Sequence, residues 1–521
     1  MTGSLTDHLQ QSARGSLILL IGQVSSTIIT AIAVILVARF LGSTSYGQIT
    51  IAMIPISLAS MFTNPGVNSG LTKYIAQYRA EKKAGDIRTL LTTGLLINTA
   101  ASVILLLVVN LLTGYLVEKV FHQPDIRMLI QVASLQLLAQ ALISTTRSIF
   151  VGFERMKYVS LMVIIQSILK SVLAPLLVFI GMGSLGAVLG NTASLIVTGA
   201  IGSILVITAF LRRPTKLEST ISHAEAFRIL LTYGFPLYLA VLIGGATTQV
   251  NNFLMAIHVD AFSIGNYQAA INFSVLINFF IMPISTVLFP LFSKIEPKEN
   301  NKLGLIYQNS VKYAGLIIVP LTSALILLSG PIVAIIYGTS YPLTAYFLQL
   351  FCINFLFIGI GAYCTGSLLN GQGMTKTIFI GSLLNLCTTL PLSFYLIPRY
   401  GIPGLIWTSI IAPKGALFYF LWQIKKNLGF TVKWKTSIKI YLSSAIPFIM
   451  VYYLLQTFDL NEWLSLLLGG CLFIVMYLFF VLTFRVLDRD DIQDLRLILS
   501  AMGPLTPIFN IFLTFFEKLM K

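Results

Sequence analysis

The chain has 521 residues, 56% of them hydrophobic and only 10% charged, with a mean hydropathy of +0.87 and a formal net charge of +16. Soluble domains carry roughly 25% charged residues, so a chain this poor in charge needs lipid as its main solvent. That argues against a soluble enzyme or a nucleic-acid partner, and the excess of Lys and Arg suits loops on the inner face of a membrane.

Apolar runs long enough to cross a hydrocarbon core, about twenty residues each, recur along the whole chain. Read against their polar breaks, they predict helices over 16–39, 47–70, 90–116, 128–151, 159–181, 185–210, 229–257 and 264–292. The series continues over 304–329, 343–369, 377–397, 403–424, 438–457 and 463–485, with 330–341 as an interfacial turn. The first run is too long for a cleaved signal and reads as a span. The expected fold is an all-α integral membrane protein of about 14 transmembrane helices. The tail beyond Asp488 is charged, then amphipathic over 508–519, which predicts a helix on the inner leaflet.

Orientation follows from counting. With the N-terminus inside, 27 of the 34 Lys and Arg fall in cytoplasmic segments (Lys312 among them), 4 outside and 3 within helices. This bias predicts that both termini are cytoplasmic.

An internal repeat orders the helices. At an offset of 218, Gly47 meets Gly265, Pro65 meets Pro283, Met156 meets Met374, Gly183 meets Gly401 and Gly186 meets Gly404. Six helices per copy make the two copies parallel, so their axis should run along the membrane normal with a substrate site between them. The expected organisation is an N-terminal lobe (1–215), a C-terminal lobe repeating it (216–426), two further helices (427–487) and the tail (488–521).

Most motifs have a bland reading. The stretch 181–186 spells the dinucleotide pattern GxGxxG, but it lies in a turn between two apolar runs, without the strand and βαβ unit that nucleotide binding needs. His8, His122, His223 and His258 are scattered, so no metal site follows; Cys352, Cys364, Cys387 and Cys471 fall in apolar runs and read as packing residues. No cofactor is implied.

The informative charges are those inside the bilayer. None of the eighteen acidic residues falls in the middle of a predicted span, whereas Arg147, Lys170 and Lys414 lie within spans. Ions there normally face a cavity or a partner. Without a carboxylate to pair them, these cations ask for an external anion, and phosphate is the natural match. Lys170 and Lys414 lie near the middle of their spans, and Pro413 opens the helix beside Lys414. Arg147 is one turn from the inner end, where snorkelling explains it as well as substrate binding does. Arg39 is either an outer interfacial anchor or a ligand. Gln23 and Asn251, with Gln140, Gln166 and Asn252, could hydrogen-bond sugars or simply bridge helices.

The stretch Ala38-Arg39-Phe40-Leu41-Gly42-Ser43-Thr44-Ser45-Tyr46-Gly47, followed by Ile51-Ala52, resembles the polysaccharide transporter family of O-antigen-type flippases. That family belongs to the superfamily of multidrug, oligosaccharidyl-lipid and polysaccharide exporters. The segment from Asn64-Pro65-Gly66 to Lys73-Tyr74, the basic loop to Lys83 and the turn around Gly265 are similar to it too, although members often carry Gly in place of Asp260. The resemblance covers essentially the whole chain and specifies the cargo hardly at all.

The resemblance implies a cell-membrane flippase, not an enzyme, acting as a monomer beside glycan-assembly enzymes. It would carry a polyprenyl-(di)phosphate-linked oligosaccharide from the inner to the outer leaflet by alternating access. Two alternatives share the superfamily: a flippase for lipid-linked peptidoglycan precursors, and a cation-coupled drug exporter, which normally needs an intramembrane carboxylate. A membrane glycosyltransferase or polymerase is a more distant alternative, because every external loop is short.

Overall fold

In the computed structural model of the chain, the described residues are 2–211, 219–295, 299–458, 460–487 and 491, and regular structure among them is helical throughout. The helices are α1 (Thr2–Ser60), α2 (Val67–Ala80), α3 (Ala84–Tyr115), α4 (Arg127–Gly152), α5 (Met156–Leu177), α6 (Gly183–Val206), α7 (His223–His258) and α8 (Ala261–Asn272). They continue with α9 (Ser274–Ser293), α10 (Asn300–Leu327), α11 (Ser329–Tyr337), α12 (Thr344–Leu356), α13 (Ala362–Gly371), α14 (Thr375–Tyr400), α15 (Ile402–Leu428), α16 (Trp434–Thr457) and α17 (Glu462–Thr483).

Nine helices among the described residues are long and apolar enough to cross a membrane, and two bent pairs bring the number to 11. Two of these segments hold two apolar runs each. α1 is broken at Gly42, whose φ of 75° and ψ of 169° are open to glycine alone. Met156–Phe210 spans 55 residues, too many for one crossing, and turns where Gly181 and Gly183 take φ of 98° and 54°. With α8 and α9 over the eighth run, this is consistent with the fourteen expected spans.

The solvent of the outer faces is legible in what they expose. Leu111 is 83% exposed, Phe179 75% and Val241 73%, while Gln136, Thr146, Ser194 and Thr198 are fully buried. Large apolar side chains outward and small polar ones inward is the arrangement that lipid favours. The chain is a multi-pass membrane protein.

By packing, the chain divides into two compact units. The first comprises Met1–Asn272, Tyr337–Leu343 and Leu390–Leu405. Its core gathers Leu71, Ile75, Leu90, Phe150, Val206 and Leu230 from five helices. The loop leading into α7 is tied to α3 by Asp86, whose carboxylate accepts from the Thr220 N–H (2.6 Å) and Oγ1 (2.8 Å), Ser219 Oγ (3.0 Å) and the Ile221 N–H (3.3 Å).

α1 and α8 cross through glycine, and the crossing is reciprocal. A Cβ on Gly47 would lie 1.7 Å from the Ala261 carbonyl oxygen, and one on Gly265 would lie 1.8 Å from that of Ser43. Ala261 and Gly265 are Ser43 and Gly47 shifted by 218, so the two residue pairs exchange roles across the crossing. Two more repeat pairs behave alike. Gly183 and Gly401 both take positive φ, and a Cβ on Gly186 or Gly404 would meet the carbonyl oxygen of Leu177 or Leu396 at 2.8 or 2.2 Å. At the α1–α8 crossing, the Tyr341 hydroxyl donates to the Ala38 carbonyl (2.6 Å), one turn before the Gly42 break.

The second unit comprises Phe273–Ile336, Thr344–Thr389 and Ile406–Lys521. Its α10 packs against α12, α16 and α17, and the Tyr477 hydroxyl of α17 donates to the α10 carbonyl of Leu316 at 2.7 Å.

Candidate functional site

Two local irregularities in the second unit open a cavity. Pro413 lacks the N–H that would close its turn of α15, which loosens the helix where Lys414 projects. Opposite it, a tight turn over Phe357–Ile360 and a left-handed Gly361 (φ 92°) bend α12 against α13 by 50°. On α14, Gly381 lets the wall close in, since a Cβ there would lie 2.1 Å from the Phe420 ring. The cavity measures about 290 Å³ and is lined by Asn354, Tyr363, Ser382, Asn385, Lys414 and Phe420 among others, with no carboxylate among the described residues of its lining.

Lys414 is half-buried and oriented without being neutralised. Its Nζ donates to Asn354 Oδ1 at 2.9 Å and sits 3.9 Å from the Phe357 ring centroid. Both partners are uncharged, so a hydrogen bond and a ring face aim the ammonium without pairing it with a carboxylate. Such an arrangement can take up an oxyanion and leave the amides of Asn354 and Asn385 for neighbouring hydroxyls. Ligand pockets typically measure roughly 300–1,000 Å³; this one accommodates a phosphate or diphosphate group rather than a whole oligosaccharide.

The other expected site residues lie on four helices of the first unit, α1, α4, α5 and α7. Lys170, on α5, is half-buried and has no hydrogen-bond or ion-pair partner among the described residues. It lies beside the seam with α1, where Ser167 is hydrogen-bonded to Ser26 and Ser171 Oγ donates to the Ile29 carbonyl (3.2 Å). Arg147 on α4 and Arg39 on α1 are exposed. Asn251, on α7, accepts from Ser393 Oγ of α14 at 2.5 Å, which is the helix-bridging role. Gln23 lies in α1, outside the residues whose side chains are described.

Sequence reasoning missed most of the cavity wall. Asn354, Phe357 and Tyr363 flank a helix break that only Gly361 announces, and nothing in the spacing says that α12 and α13 face α15. It also misplaced Lys312. Counted with the inner loops, this residue lies within α10 and pairs at 2.5 Å with Asp491, which the sequence assigns to the tail. The tail helix itself otherwise lies outside the described residues.

The comparisons with known proteins agree with this architecture. Residues 12–296 match the model of the family described as polysaccharide biosynthesis protein. A putative O-antigen transporter of Shigella dysenteriae is 23% identical over 393 residues, covering 74% of this chain and 93% of the relative. The multidrug export protein MepA of Staphylococcus haemolyticus is 25% identical over 275 residues, 49% of this chain and 58% of the relative. Among solved structures, the lipid II flippase MurJ in an inward closed conformation superposes with a TM-score of 0.72 at 19% identity, covering 90% of this chain and 99% of that one. An inward-facing multidrug resistance MATE family transporter superposes at 0.60 with 16% identity, over 78% and 98%. These likenesses show the fold.

Proposed function

This chain belongs to the polysaccharide biosynthesis protein family, and on that premise we propose that it is a flippase for a polyprenyl-(di)phosphate-linked oligosaccharide. The anionic head group and its glycan enter between an N-terminal lobe (1–215) and a C-terminal lobe (216–426), and alternating access of the lobes carries them from the inner to the outer leaflet. The lipid tail stays in the bilayer. Lys414 binds the phosphate. Lys170, whose ammonium has no described partner, is a second phosphate ligand, with Arg147, Arg39, Gln23 and Asn251 as further contacts. The charge asymmetry of the loops supports a cell-membrane location with both termini cytoplasmic. The protein is read as a monomer working beside glycan-assembly enzymes.

The observation that carries this reading is the cation in the second-unit cavity, held by neutral partners in a lining with no carboxylate among its described residues. Depletion of the protein should leave the lipid-linked glycan on the inner leaflet, inaccessible to an impermeant glycan-oxidising reagent. Accumulation on the outer leaflet would refute it. A drug exporter is the second reading, favoured by the multidrug relatives and the MATE-like fold. It expects uptake of a cationic dye into inverted vesicles, and the cavity's cationic character speaks against it.

A further inference from the structure

One buried cation lies outside the proposed site and has a different solution. Lys312 sits twelve residues past the start of α10, about 18 Å along its axis, and its side chain is only 10% exposed. A lone ammonium there is expensive, and the helix around it supplies no acid. The compensating charge arrives from Asp491, 179 residues later in the chain. Asp491 is buried, and its two oxygens are held separately: Lys312 Nζ donates to one at 2.5 Å and the Tyr313 hydroxyl to the other at 3.0 Å. Two donors from adjacent residues thus grip one oxyanion.

The chain leaving α17 is directed toward this grip. Arg485 takes a positive φ of 47°, and its carbonyl accepts from Lys439 Nζ on α16 at 3.4 Å. Val486 and Leu487 then turn inward, 2% and 9% exposed. The same stretch of α10 is gripped one turn further on, where Tyr477 of α17 donates to the Leu316 carbonyl. A Cβ on Gly315 would lie 3.4 Å from Gly359 and from Ile440 of α16, so no bulky side chain stands in between. The C-terminal elements converge on residues 312–316.

We infer that Lys312 and Tyr313 form an oxyanion-binding cradle distinct from the Lys414 cavity, and that its ligand is the chain's own C-terminal segment, latched to α10 through Asp491. The cradle is a docking site for a carboxylate in which Asp491 is the resident partner. Being charged and geometrically specific, the pair acts as a release point: removing the carboxylate frees the segment, while the apolar contacts of Val486 and Leu487 alone do not hold it. This inference is independent of what the protein transports.

Two measurements on the full-length protein in neutral-lipid proteoliposomes test it. First, a Val486→Cys reporter is alkylated and its modification followed peptide by peptide, which separates it from the native cysteines. Asp491→Asn or Lys312→Gln should accelerate its alkylation at least about tenfold, and the double variant no further, because the two residues act as one unit. Tyr313→Phe, a milder change, should give a smaller acceleration. Second, in the Asp491→Ala protein, acetate should raise the thermal midpoint above that in chloride at equal ionic strength and slow reporter alkylation, whereas the parent should not distinguish the two salts. Equal alkylation rates with and without Asp491 would overturn the latch. Equal responses to acetate and chloride in Asp491→Ala would overturn the cradle.

Discussion

Replacing Lys414 by methionine separates the charge from everything else the residue does. Methionine keeps the unbranched length at the cavity edge, so the filling of the cavity wall changes little. What is lost on the protein side is one hydrogen bond to Asn354 and the ring contact with Phe357. These are worth about 1.5–3 kcal/mol, the donor being charged, and about 0.5–2 kcal/mol, offset by no longer holding an ammonium out of water. Net stability should therefore move by less than about 1 kcal/mol, seen as an unchanged abundance and a thermal midpoint shifted by a few degrees at most. The substrate side is different, because a charge-assisted hydrogen bond to phosphate contributes about 1.5–3 kcal/mol, which is about a 10- to 150-fold loss of affinity. Transport of a fluorescent lipid-linked glycan in proteoliposomes should fall accordingly. Lys414→Arg, which keeps the charge and its donors, should retain much of the rate, and Asn354→Leu should fall between the two because it misdirects the ammonium. If Lys414→Met transports normally, or if its loss tracks falling abundance, the phosphate assignment is wrong.

The remaining predictions concern the frame that holds the site. Gly47→Ala and Gly265→Ala each place a methyl less than 2 Å from a carbonyl oxygen across the α1–α8 crossing. Each should cost about 3 kcal/mol or more in thermal unfolding, while Gly366→Ala, inside a helix and meeting nothing within 4 Å, should cost nothing and gain up to about 1 kcal/mol of helix propensity. Asp86→Ala removes an acceptor serving four donors before α7, two of them backbone N–H groups, and should cost about 2–4 kcal/mol, read as lower abundance and faster proteolysis at residues 219–222. Tyr341→Phe loses the hydroxyl that satisfies the Ala38 carbonyl beside the Gly42 break and should cost about 1–2 kcal/mol, measured against the parent in the same detergent.

The fold was largely legible because lipid imposes a simple rule: each span must satisfy its own backbone and present apolar side chains outward. Twenty-residue apolar runs therefore announce themselves, and glycines at a constant offset announce the repeat. Gly47 and Gly265 illustrate both the reach and the limit of this. Their constant spacing is visible in the sequence, but only the fold shows that the two glycines face one another across a crossing. Span ends were less legible, since α1 runs unbroken past the polar turn expected at 41–47 apart from the kink at Gly42. The site was half legible. Lys414 stands out as a cation in an apolar run, yet Asn354 and Phe357 are ordinary residues of a transmembrane helix until the break at Gly361 turns them toward α15. No pattern in the sequence links residue 312 to residue 491.

That last pair decides how the buried cations divide. The sequence counts Lys312 with the inner loops and reads Lys414 and Lys170 as ions in need of an anion, although all three lie within helices. The structure separates them by what already sits beside each. Lys312 has a carboxylate at 2.5 Å and a tyrosine completing the grip, so its charge is consumed internally and serves architecture. Lys414 has an amide oxygen and a ring, which aim the charge without pairing it with an acid. A binding site for an anionic cargo must be of the second kind, because a cation neutralised by its own chain gains little from a phosphate and loses its existing partner on binding one. The same contrast gives a control for transport assays. Lys312→Gln should alter how the C-terminal segment docks while leaving phosphate recognition in the Lys414 cavity intact, so that substrate affinity holds where Lys414→Met loses it. Equal losses of affinity in the two variants would erase the distinction and place Lys312 on the substrate path.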